Sequence, residues 1–112
     1  MHGIALIQVL TTLPTEADAL HLARLLVEAR LAACVQVVGP ITSIFRWEGQ
    51  VQQAQEWACL VKTVADSYEA VAEAIRRHHP YQVPEILALP VSAVSDPYAQ
   101  WVRAASRREP AA

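Results

Sequence analysis

Within eight residues, His79-Pro80-Tyr81-Gln82-Val83-Pro84-Glu85-Ile86, the chain sets an imidazole, a phenol and a carboxylate between and around two prolines. Neutral imidazole ligates copper and zinc, and it is the side chain that moves protons near neutral pH. His79 is therefore the first candidate for a metal ligand or proton carrier. Its competing role is structural, as a histidine at a helix end that hydrogen-bonds the last carbonyls. No partner histidine stands at ligand spacing from it. His78 points elsewhere on a helix, His21 falls in mid-helix and His2 lies at the terminus. Cys34 is the second candidate, a soft ligand that would favour Cu(I). Against this, a cysteine among small residues in a strand ordinarily packs as a small hydrophobe.

The two prolines say how the first group is held. Proline disfavours helical geometry at the residue before it, so His79 and Val83 are expected to be extended or in turns. The segment reads as a stiff crossing from a helix end into the apolar run Ile86-Leu87-Ala88-Leu89-Pro90-Val91.

The rest of the chain supplies no catalytic constellation. There is no GxSxG, no P-loop, no HExxH and no glycine-rich phosphate cradle among its three glycines. We expect neither an enzyme nor a required cofactor. A net charge of −2, a pI near 6.0 and scattered arginines argue against nucleic acid, which needs a clustered basic face. Arg107-Arg108 belongs to a solvated tail. No apolar run approaches the ~18–20 residues of a membrane span, and the N-terminus has no charged segment leading into an apolar one. Two cysteines without a CxxC pair fit a reducing cytoplasm.

At 112 residues the chain is expected to form one domain, residues 1–106, with a flexible tail over 107–112. Ile4-Ala5-Leu6-Ile7-Gln8-Val9-Leu10 reads as a central strand, broken by Thr11-Thr12-Leu13-Pro14. Thr15 caps a helix over about Glu16 to Arg30, with Arg30 near its C-terminal end. Ala33 to Trp47 and Val51 to Thr63 are β-rich and joined by the turn signal Glu48-Gly49. Gly39-Pro40 predicts a bulge or bend and an edge position beyond it. In that register Cys34 and Cys59 lie opposite Thr63 and Val38, so no disulfide between them is expected. Asp66-Ser67-Tyr68-Glu69 reads as a capping box for a helix whose apolar face is Tyr68, Val71, Ala72 and Ile75. After a strand over Glu85 to Val91, Asp96 is expected to cap a last helix with Pro97 at its first position. Its apolar spacing is Tyr98, Trp101, Val102 and Ala105.

The order βαββαβ plus a C-terminal helix predicts an α+β fold, the ferredoxin-like sandwich of four antiparallel strands with two helices on one face. Its long hairpin should project beyond the sheet. A chain that is 54% hydrophobic and has no further layer for the second face must cover that face with copies of itself. Phe45 then reads as an interface anchor, and Trp47, Trp57 and Trp101 as interface and core anchors, since they lack the basic interleaving of a base-stacking platform. Lys62, Tyr81 and Glu85 are expected in a cleft between subunits. There Lys62 would bind an anion that Glu85 orients or deprotonates, or the pair would form a salt bridge fixing register.

Several of these segments, taken together, resemble the CutA divalent-cation tolerance family. They are Leu31-Ala32-Ala33-Cys34-Val35, Ser43-Ile44-Phe45-Arg46-Trp47-Glu48-Gly49, Lys62-Thr63, the His79–Ile86 segment, and Tyr98 with Trp101. The resemblance runs from about residue 4 to 103. It implies a tight homotrimer, similar in architecture to the PII signalling proteins, in a cytoplasmic protein linked to copper and other divalent metals. The chain departs from the family's pattern at Gln36, at the neutral Gln82 and along Gln50-Val51-Gln52-Gln53-Ala54-Gln55-Glu56, which leaves fewer carboxylates for hard cations. Two functions follow from the resemblance: a metal-binding trimer, or a PII-like scaffold that takes a small anionic ligand or a protein at its clefts.

Overall fold

In the computed structural model, which describes residues 5–106, the chain runs β1 (Leu6–Leu13), α1 (Glu16–Glu28), β2 (Cys34–Trp47), β3 (Gln50–Val64), α2 (Tyr68–His78), β4 (Leu87–Pro90) and α3 (Asp96–Ala105). The strands lie in the order β2-β3-β1-β4 with every neighbouring pair antiparallel. This is the expected ferredoxin-like α+β arrangement with a third helix. The expected tail over 107–112, Arg107-Arg108, His2 and the strand start at Ile4 lie outside the described residues.

Alternation along the strands divides the side chains between two faces. On one face Ile7, Val9 and Leu13 of β1 join Cys59 and Val61 of β3. They pack against Ala19, Leu22 and Leu26 of α1 and Val71 and Ile75 of α2. On the other face α3 lays Ala99 and Val102 over Leu6 and Ala33. That second layer is short. Beyond it Val38, Leu87 and Leu89 remain exposed, as do Tyr98 and Trp101 on α3 itself. Among the described residues no helix is long and apolar enough to cross a membrane.

The boundaries differ from expectation in five places. β1 does not break at Thr11 but runs to Leu13, because β-branched threonines suit a ladder and pair with Cys59 and Ala58. α1 stops at Glu28, so Arg30 is not in its last turn. Arg30 adopts φ 60°, and its N–H and that of Leu31 turn back to the carbonyls of Val27 and Leu26. This is the Schellman closure with arginine where glycine is usual. The capping box does not form: a 3-10 turn, Ala65–Ser67, leads into α2, and the Ser67 side chain makes no capping hydrogen bond. β4 is shorter than Glu85 to Val91, since Glu85 and Ile86 still belong to the crossing. Ser95, not Asp96, precedes α3 in extended conformation, which puts Asp96 at the first helical position and Pro97 at the second.

The hairpin follows the sequence closely. Glu48 and Gly49 both take positive φ, 50° and 79°, and close Trp47 onto Gln50 in a two-residue turn. β2 is an edge strand, as Pro40 requires. The register slips between Val38 and Ile41, where Gly39 and Pro40 together face Trp57. The slip sets Cys34 opposite Lys62 and Cys59 opposite Val37, one residue from the unbulged expectation, and both thiols are free. β1 pairs with β3 only from Trp57 onward. The half of the hairpin beyond it therefore projects, and the molecule is 49 Å along its longest axis.

The bulge is also a packing site. A Cβ on Gly39 would lie 2.3 Å from Cδ1 and 2.6 Å from Cγ of Trp57. The Trp57 indole is half-buried against the chain's own core, over the bare glycine. Gly39→Ala should displace that ring and destabilise the fold by about 1–3 kcal/mol. Denaturant unfolding followed by tryptophan emission measures both effects.

Candidate functional site

The crossing after α2 is tied down by its own polar groups. His79 is extended, with φ −93° and ψ 135°, as the following proline demands. Its Nδ1 accepts a hydrogen bond from the Tyr81 N–H at 3.1 Å, and its Nε2 lies 2.7 Å from the Thr12 carbonyl. An acceptor at Nδ1 and a carbonyl at Nε2 assign the neutral Nε2–H tautomer, with Nε2 donating to Thr12. Both nitrogens are thus in use. A metal at Nδ1 would have to displace the Tyr81 amide.

Tyr81 continues the chain of contacts. Its ring centre lies 5.0 Å from that of His79, and its hydroxyl donates to Glu56 Oε2 at 2.9 Å. Glu56 is only 6% exposed, so this phenol supplies the donor for a buried carboxylate. Burial first, then the hydrogen bond and the charge of Glu56, push the Tyr81 phenol up to about 12.

These residues floor a groove of ≈ 830 Å³ between the projecting hairpin and the crossing. Thr12, Glu56 and Tyr81 give it a polar base, while Ile44, Phe45, Trp47, Val83 and Pro84 give it apolar sides, with Glu85 at the crossing side. Such a groove suits an amphipathic group. Within it the Tyr81 phenol is held protonated by burial and by Glu56.

The other candidates lie elsewhere on the sheet. Lys62 pairs with both Cys34 and Gln8 across the ladder, and its ammonium donates to Gln8 Oε1. Cys34 is half-buried there, and Tyr98 of α3 stands near enough that burial and the Cys34 thiol raise the Tyr98 phenol. Trp101 packs on Tyr98 with ring centres 5.6 Å apart. Gln8 and Thr12 are four residues apart on β1, or ~13 Å. Within one chain, then, Lys62 stands with Cys34 and not with Tyr81 and Glu85. His79 and Cys34 are likewise at separate ends of the strand. Among the described residues no group of three or more His, Cys, Asp or Glu side chains gathers to hold a metal.

Glu56 is the site residue that sequence reasoning missed. The signal was there: it is the lone carboxylate in the alternating row Ala54, Glu56, Ala58, Leu60 on one sheet face. Tyr81→Phe removes its donor and is expected to cost about 1–3 kcal/mol in chemical denaturation. The sign of the pH dependence follows from the raised phenol. The Tyr81 contribution is full below the ordinary tyrosine value of about 10 and is lost as pH rises through about 12. An alkaline absorbance titration should show a tyrosine step near pH 12 that Tyr81→Phe removes.

The comparisons agree with this architecture. The family model of the CutA1 divalent ion tolerance protein matches residues 7–105. The divalent-cation tolerance protein CutA of Thermus thermophilus is 46% identical over 95 residues, which cover 85% of this chain and 92% of the relative. Protein CutA of Homo sapiens is 44% identical over 92 residues, 82% of this chain; the match spans about half, 51%, of the human protein. The structure of the periplasmic divalent cation tolerance protein CutA from Archaeoglobus fulgidus superposes with a TM-score of 0.89 at 31% identity, covering 91% of this chain and 99% of that one. The sheet order, the long bulged hairpin and these matches across nearly the whole domain make the chain a member of the CutA divalent-cation tolerance family.

Proposed function

We propose that the chain acts as one subunit of a homotrimer in divalent-cation tolerance, and that ions or ligands are met where subunits join. One observation carries this: the sheet face beside α3 leaves Val38 46%, Leu87 41%, Leu89 47% and Trp101 48% exposed in a single chain. A contiguous apolar face of this kind marks an association surface, and closed cyclic symmetry is the usual way identical chains cover one. Phe45 and Trp47 on the projecting hairpin are exposed as well and extend the surface towards a neighbour. A cytoplasmic place of action is part of the proposal, supported by the two free thiols.

In this reading copper or another divalent ion meets Cys34 or His79, and neighbouring subunits complete its ligand set. The second reading is a PII-like scaffold that takes a small anionic ligand or a protein partner at the clefts. It is favoured by a specific observation, the engagement of both His79 nitrogens. Lys62 supplies a cation for such a ligand on the sheet face.

Calorimetric titration of the reduced, metal-stripped protein with Cu(II) and Zn(II) separates the two. The metal reading expects a saturable component of binding that His79→Ala or Cys34→Ala removes. It also expects loss of that binding in Leu89→Glu, which sets a charge in the middle of the apolar face. Heat indistinguishable from dilution, or binding indifferent to all three substitutions, contradicts it and leaves the scaffold reading.

A further inference from the structure

The four histidines of this chain fall into different situations. His79 is committed through both nitrogens, and His2 lies outside the described residues. His21 and His78 stand apart in sequence, one in the second turn of α1 and the other the last residue of α2. The fold brings them together on the outer surface of the helical layer. Their ring centres are 6.3 Å apart and their planes cross at 66°.

We propose that His21 and His78 form a two-imidazole site for a borderline divalent transition-metal ion, with Cu(II) the best fit, joining α1 to α2. Metal–nitrogen bonds of about 2.0–2.1 Å place the centres of two imidazoles on one ion ~5–6 Å apart. The observed pair is within about an ångström of that, and exposed side chains change rotamer on the picosecond to nanosecond scale. Neither ring has a hydrogen-bond or ion-pair partner among the described residues, so no existing bond must break for a nitrogen lone pair to turn inward. His79 lacks that freedom.

The surroundings favour a cation there. The C-terminal end of a helix carries partial negative charge from its unpaired carbonyls, and His78 ends α2. The nearest cations in sequence are turned to carboxylates of their own helices. Arg24 pairs with Glu28 at 3.8 Å, and Arg77 pairs with Glu73 at 3.6 Å. Imidazole is a ligand for copper, nickel and zinc, and among the divalent ions of that row affinity peaks at copper. With no hard oxygen ligands gathered at the pair, magnesium and calcium should not compete.

The pair has an alternative role, an edge-on ring contact without a ligand, since 6.3 Å is within the range of ordinary aromatic packing. Such a contact would leave metal binding unmoved by either substitution. The site is built within one subunit on the face away from the open sheet surface, so it does not depend on assembly.

The test is a Cu(II) titration followed by electron paramagnetic resonance. It is made in a His2→Ala background, which removes the one further histidine besides His79. We expect one copper per chain, bound with a two-nitrogen signature, to disappear in His21→Ala and equally in His78→Ala, whatever copper is held elsewhere. Both substitutions are at exposed positions, and an unchanged unfolding midpoint without metal confirms that the fold is kept. Tenfold excess Mg(II) should leave the signal intact. A copper count unchanged by the two substitutions, or lowered by only one of them, overturns the paired site.

Discussion

A four-stranded sheet has two faces to bury, and this chain has enough helix for one and part of the other. α1 and α2 seal the first face with fully buried leucine, valine and isoleucine. α3 reaches only the Leu6 and Ala33 corner of the second. Apolar surface left in water weakens the fold in proportion to its area, about 25 cal/mol per Å². The remaining strip of Val38, Leu87 and Leu89, flanked by Tyr98 and Trp101, is the feature from which the proposed assembly and its clefts follow. Strand alternation makes it unavoidable: the residues that complete the helical core fix which residues face the other way.

The projecting half of the long hairpin and the proline crossing are joined by a polar contact. Glu56 sits at the base of the projecting half, and Tyr81 reaches across from the crossing to satisfy it. His79 anchors the same crossing to the end of β1 through Thr12. These two hydrogen bonds and that from the Tyr81 N–H to His79 Nδ1 hold the crossing beside the groove. Behind it the indole of Trp57 lies over the only residue that leaves room for it, Gly39. These contacts give His79 a structural task whatever else it does, and they separate it from Cys34 and Lys62 further along the sheet.

Most of the fold was legible in the sequence because it depends on local rules. Gly39-Pro40 announced the bulge, Glu48-Gly49 the turn, Thr15 the first cap and Pro80 the end of α2. The misses were also local, where a competing preference prevailed. Threonines extended β1, Arg30 took the position of a closing glycine, and a 3-10 turn replaced the cap at Ser67. The site was less legible, because its contacts join residues far apart in the chain. Tyr81 meets Glu56 across 25 positions, and His21 meets His78 across helices with no spacing to signal it.

Because the open sheet face is central, the measurement that bears on it most directly is the mass of the unmodified protein in solution. Light scattering at micromolar concentration should return three times the 12.3 kDa of the chain. A mass of one chain at that concentration would mean that the exposed face is tolerated in water. The assembly and the clefts built on it would then have no basis.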